Sequence, residues 1–117
     1  MATRTETATQ LTPLVTVVQW TGLLVGDDGR AYIPSDHPDR TVQVRGTFGG
    51  ATLAFQGSND PGASPAVWFT LTNQAATALS FTSAGGGKVI EATRWVRPLV
   101  TGGDGTTSLT VDLVARR

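Results

Sequence analysis

Cysteine is absent from the 117 residues, and histidine and lysine occur once each, as His37 and Lys88. Without a thiol there is no disulfide framework, no thiolate metal site and no cysteine nucleophile. Charge is scarce too: 15% of residues are charged, against the ~25% usual in globular chains. Nine basic and nine acidic residues cancel to zero net charge. Nucleic acid is bound through a concentrated positive field, so it is excluded as an expected partner. Arg116 and Arg117 make a two-charge tail, not a basic patch. No apolar run approaches the ~18 residues of a membrane span. Met1 to Gln10 carries no hydrophobic stretch of the secretory kind, which predicts a soluble protein made in the cytoplasm. No helical period is sustained over ten residues, so no helix is required.

What is abundant is glycine, with 14 residues, together with threonine and a 39% apolar fraction. The length suits one domain, with roughly two-thirds of its unfolded surface buried. Low charge with many Gly and Thr fits a surface partly covered by neighbours, or one rich in tight turns. Strand signals run through Leu14 to Trp20, then Leu23 to Val25 and Arg30 to Ile33 as a hairpin around Gly26-Asp27-Asp28-Gly29. Pro34 to Asp39 is a loop with two prolines. Thr41 to Arg45 places Val42 and Val44 on one face, Gly49-Gly50 turns the chain, and Ala51 to Gln56 places Leu53 and Phe55 on one face. Further strands are expected at Val67 to Thr72, Leu79 to Phe81, Lys88 to Glu91, Trp95 to Val100 and Leu109 to Ala115. In the last, Leu109, Val111, Leu113 and Ala115 share a face, which predicts a half-buried, central strand. Turn signals recur roughly every 8–12 residues, the pattern of a sandwich or barrel. The expectation is all-β: a single antiparallel β-sandwich, jelly-roll-like, of about eight strands over residues 14–117. Residues 1–13 are expected as a flexible N-terminal arm, where Thr3, Thr5, Thr7, Thr9 and Thr12 suit an extended conformation.

Chemistry finds little purchase. Ser35, Asp36, His37 and Asp39 read as a solvated loop, because a nucleophile–base–carboxylate set needs a rigid constellation with an oxyanion hole. The two glutamates, Glu6 and Glu91, are not marked as an acid–base pair. Asp27-Asp28, Asn59-Asp60 and Asp104 could converge on calcium, but Asp and Asn beside Gly are what turns select anyway. No catalytic residue, cofactor or metal site is therefore assigned. Trp68 and Phe69 are adjacent, so one of them is expected in the core. An exposed Trp or Arg on a weakly charged surface is the usual anchor of a protein interface. Trp20, Arg94, Trp95 and Arg97 are the interface candidates.

Two stretches carry a resemblance. Gly46 to Leu71 reads GTFGGATLAFQGSNDPGASPAVWFTL, and Glu91 to Arg116 reads EATRWVRPLVTGGDGTTSLTVDLVAR. Together they resemble the discoidin or galactose-binding-like jelly roll, in which a hairpin of the GSNDG type precedes a Trp and a later RYVR-like strand. Pro61 follows Asp60 where that pattern has Gly, and the loop-tip polar cluster of its sugar-binding members is missing. The string as a whole, ending in TGGDGTTSLTVDLVARR, resembles small structural proteins of tailed bacteriophages. That resemblance implies a virion structural protein, foremost a capsid decoration or cement subunit bridging major capsid proteins, trimeric and located in the virion. A neck or tail component, or a carbohydrate-binding module for host adsorption, are the alternatives; an enzyme is not expected.

Overall fold

The computed structural model describes residues 2–34 and 36–117. Their strands are β1 (Thr3–Arg4), β2 (Thr7–Thr12), β3 (Val15–Leu23), β4 (Asp28–Gly29), β5 (Asp39–Thr47) and β6 (Ala51–Ser58). There follow β7 (Phe69–Thr70), β8 (Ser80–Phe81), β9 (Gly85–Val89), β10 (Trp95–Gly102) and β11 (Ser108–Arg116). One sheet has the order β1-β4-β10-β6-β7, with β8 also paired to β6; the other has the order β2-β3-β11-β5-β9.

The two sheets face each other because their long strands alternate. Along β5, β6, β10 and β11, buried residues take every second position, the period at which side chains switch faces. The inward sets are Val42 and Val44, then Leu53 and Phe55, then Val96 and Val100, then Leu109, Val111 and Leu113. Val18, Trp20 and Leu23 from β3 join them, and Leu71, Leu79 and Val89 close the core. Each such side chain contributes about 1.5–3 kcal/mol on burial. Trp20 and Phe55 meet edge to face with centroids 6.3 Å apart, and the Trp20 indole N–H donates to the Arg30 carbonyl at 3.2 Å. The largest core ring is thus packed and polar-satisfied.

Eleven strands replace the eight expected, and the surplus has a simple origin. From β3 on, the chain crosses between sheets at every step but those from β6 through β7 to β8, in jelly-roll order: β3-β11-β5-β9 on one side, β4-β10-β6 and then β7 and β8 on the other. β7 and β8 are two short pieces in the place of one strand, and β1 and β2 are added at the sheet edges. The same path corrects the expected hairpin. Gly26-Asp27-Asp28-Gly29 does not fold the chain back on itself; it carries it from β3 in one sheet to β4 in the other. Asp27 forms that corner, its amide donating to the Leu24 carbonyl while its carboxylate accepts from the Leu24 amide. Gly49 and Gly50, both left-handed, likewise pass the chain from β5 to β6 across the sandwich. Left-handed backbone is where glycine has least cost. β11 lies between β3 and β5, central as its alternation indicates.

The segment expected as a separate arm is paired to the sandwich at both ends. β1 runs parallel to β4 and β2 runs antiparallel to β3, so residues 3–12 pass from the edge of one sheet to the edge of the other. What holds this segment is polar, not apolar. The Asp27 carboxylate, 2% exposed as a residue, accepts from the Ala2 amide at 2.8 Å and from Arg4 Nε at 2.7 Å. Thr3 Oγ1 donates to Asp28 at 2.7 Å, and Arg30 donates to Glu6 through two nitrogens.

These contacts set an acid limit on stability. Burial alone raises the Asp27 pKa, but the Leu24 amide, Arg4 and the Ala2 amide together bring it below its ordinary value. Glu91 is also lowered, its burial outweighed by the Thr72 amide and hydroxyl. A carboxylate whose folded pKa is depressed adds stability above its unfolded pKa, and loses it as pH falls through the folded one. Melting temperature is therefore expected to hold from neutral pH down to about 5 and to fall below about 4, where unfolded Asp and Glu titrate. Circular-dichroism melts against pH check this, and Asp27→Asn should flatten the acid limb while lowering the neutral plateau. An acid limb unchanged in that variant would show that Asp27 does not set it.

Candidate functional site: the outer face of the first sheet

On β10 the inward positions are Val96 and Val100, so Trp95 and Arg97 point out of the sandwich. On β6 the same face carries Gln56, directly opposite Arg97, and Ser58, opposite Trp95. Arg97 Nε donates to Gln56 Oε1 at 3.0 Å, and Nη1 donates to Asp28 Oδ2 at 3.0 Å. Asp28, at the start of β4, is held in turn by Thr3. The segment between β6 and β7 brings Trp68 over this group, its ring 4.2 Å from the Arg97 guanidinium carbon. Such stacking is worth about 0.5–2 kcal/mol, more as water is excluded. Burial lowers the Arg97 pKa and Asp28 opposes that; a guanidinium stays charged at neutral pH regardless.

Trp95 is fixed in the same manner. Its indole N–H donates to the Asp60 carbonyl at 3.2 Å, and the Arg94 guanidinium lies 5.5 Å from its ring centroid. Arg94 also donates through Nη1 to the Pro61 carbonyl, while its amide donates to Asn59 Oδ1. The Asp60 carboxylate accepts from the amides of Ala66 and Val67, folding the 59–68 segment into a wall. Those two amides, foremost Val67, bring Asp60 below its ordinary pKa. Between this wall, Trp68, Trp95, Arg97 and the β4 backbone lies a recess of about 520 Å³, also lined by Arg30 and Ala31.

Three of the four interface candidates, Arg94, Trp95 and Arg97, are therefore brought together. Trp20 is not among them: it is 0% exposed in the core, because it shares the inward phase of β3 with Val18. The Trp68–Phe69 expectation is also corrected. Phe69 is 44% exposed and Trp68 is half-buried against Arg97, since β7 is only two residues long and its upstream segment lies outside the sheet. Gln56 and Thr3 were not anticipated, and Asp28 was singled out only as a turn carboxylate; the phase of β6 points to Gln56, but nothing local marks Thr3.

The remaining chemical groups are engaged by near neighbours. Ser35 lies outside the described residues. Asp39 and Asp36 pair with Lys88 and Arg117 at 3.9 and 3.7 Å, and the His37 carbonyl accepts from Arg40 Nε. Asp27 and Asp104 line a common recess, but among the described residues the turn carboxylates do not gather into a cluster of three or more. Asp60 sits beside the start of β10, and Asp104 follows its end, accepting from the Thr106 amide and hydroxyl.

The sheet order and path define a jelly-roll β-sandwich. The chain is similar to the SPBc2 prophage-derived protein YomS, with a TM-score of 0.66 at 14% identity, covering 93% of this chain and 100% of that one. A cupin domain from Bordetella pertussis Tohama I aligns at a TM-score of 0.46 and 14% identity, covering 96% of this chain and 91% of that one. No family model matches the sequence, and no curated protein matches it.

Proposed function

We propose that this chain is a structural protein of a tailed-bacteriophage particle, and specifically a capsid decoration or cement subunit. The observation that carries the reading is the likeness to a prophage-derived protein across 93% of this chain and 100% of that one. Near-zero net charge and a 15% charged fraction suit a surface that packs against other protein. The mechanism is passive. β2 forms one edge of its sheet, all six of its residues, Leu11 among them, are exposed, and Leu14 stands out just after it. Such an edge accepts a strand from a neighbouring subunit through main-chain hydrogen bonds. The partner is the major capsid protein, and the subunit is a trimer. Modest single contacts suffice, because attachment at repeated lattice positions raises the effective concentration.

Cryo-electron microscopy of the parent particle tests this. Density for the sandwich at symmetry-related capsid junctions, with β2 against a neighbour, is the expected result. Density confined to the neck or tail would overturn the decoration role while keeping the virion class. Absence from the particle would overturn both.

A further inference from the structure

We propose that the recess bounded by Trp68, Trp95 and Arg97 is a binding site for a neutral saccharide. Its size, about 520 Å³, lies within the ~300–1,000 Å³ of small-ligand sites. Its lining pairs two indoles with polar groups, a combination that suits a sugar. Aromatic rings pack against the C–H faces of such a ring, and hydroxyls need both donors and acceptors. Both are in surplus here. A guanidinium carries five N–H donors, and Arg97 uses one on Nε and one on Nη1. An ionised carboxylate offers roughly four acceptor positions, and among the described residues Asp28 accepts from Thr3 and Arg97.

Charge decides against an anion. Arg97 faces Asp28 at 3.0 Å and Arg30 faces Glu6 at 2.9 Å, so each cation at the recess is already neutralised. An incoming carboxylate or sulfate would have to displace a partner, whereas a neutral polyol need not. The walls are also held before any ligand arrives: Trp95 by the Asp60 carbonyl, Trp68 by Arg97, and Arg97 by Asp28 and Gln56. A site fixed in this way loses little freedom on binding.

The test is an NMR titration of the full chain with glucose, galactose, N-acetylglucosamine, maltose, lactose and chitobiose, following the indole and guanidinium N–H signals. At least one sugar is expected to shift Trp68, Trp95 and Arg97 at millimolar concentration, while the buried Trp20 indole stays put as an internal reference. Trp68→Ala should weaken that binding by about tenfold, equivalent to ~1.4 kcal/mol, with the Trp20 signal unchanged. Trp68→Phe, which keeps an aromatic face, should lose less and stands in if the alanine variant fails to fold. The proposal is overturned if no sugar moves these signals at tens of millimolar, or if the folded Trp68 variants bind as tightly as the parent. It is equally overturned if acetate or sulfate moves Arg97 more than any sugar does.

Discussion

Val111→Asp is expected to leave no folded domain at all. Val111 sits midway along β11, opposite Trp20 of β3 on one side and Val44 of β5 on the other. Its side chain is fully enclosed. An aspartate there is either an unpaired charge in the core or a neutral acid with no hydrogen-bond partner. Both are costly, and the loss of more than about 4–5 kcal/mol is comparable with the ~5–15 kcal/mol that holds a whole domain together. Soluble yield and the intrinsic fluorescence of Trp20 report the outcome. Thr110→Asp is the control: the neighbouring position faces outward beside Arg45, and its cost should stay within about 0.5 kcal/mol. A folded Val111→Asp variant would mean that the phase of β11 is wrong.

Deleting residues 1–6 is expected to lower stability by about 2–4 kcal/mol, through loss of partners to a buried carboxylate. For a domain this size that is a fall in Tm of roughly 10 °C. The reason lies in Asp27, which would keep the Leu24 amide but lose Ala2 and Arg4 while staying enclosed by the sandwich. Asp28 would lose Thr3, and Arg30 would lose Glu6. Thermal melts of the truncated chain decide between two descriptions of this segment. A Tm within a degree or so of the parent would mean that it is the dispensable arm its composition suggests.

The contrast shows which parts of the fold are legible in the residues. β5, β6 and β11 each face water on one side, so apolar and polar residues alternate and the inward set can be read directly. β10 alternates as well, and its period puts Trp95 and Arg97 on one face. Residues 2–6 have no such pattern, since their anchors are Asp27, Asp28 and Arg30, more than twenty positions away. Gly26 to Gly29 and Gly49-Gly50 have the chemistry of turns, but a turn within a sheet and a corner between sheets use the same residues. Only the pairing of β4 with β10, and of β6 with β10, separates the two cases. Trp20 and Trp68 illustrate the same gap. Both are large aromatics in apolar stretches, and which one enters the core depends on the strand phase of β3 and on the brevity of β7.

Arg40 is the least legible residue of all. It occupies the inward phase of β5 with Val42 and Val44, and is 5% exposed. No pattern rule puts an arginine there. It is tolerated because its guanidinium donates to the carbonyls of His37, Thr93 and Pro34, and burial lowers its pKa. It thereby ties the 34–39 loop to the approach to β10.

The position of β11 between β3 and β5 has a consequence for how the protein comes into being. As the chain leaves the ribosome, the β2-β3 ribbon emerges early and the β5-β9 ribbon later, and neither pairs with the other. Each presents an unfilled edge until residues 108–116 have been made and placed between them. Contacts this distant in the chain are slow to close. The interval between synthesis and closure is when this sandwich is most open to pairing with the wrong strand, and a chaperone or a co-assembling partner would protect it most during that time.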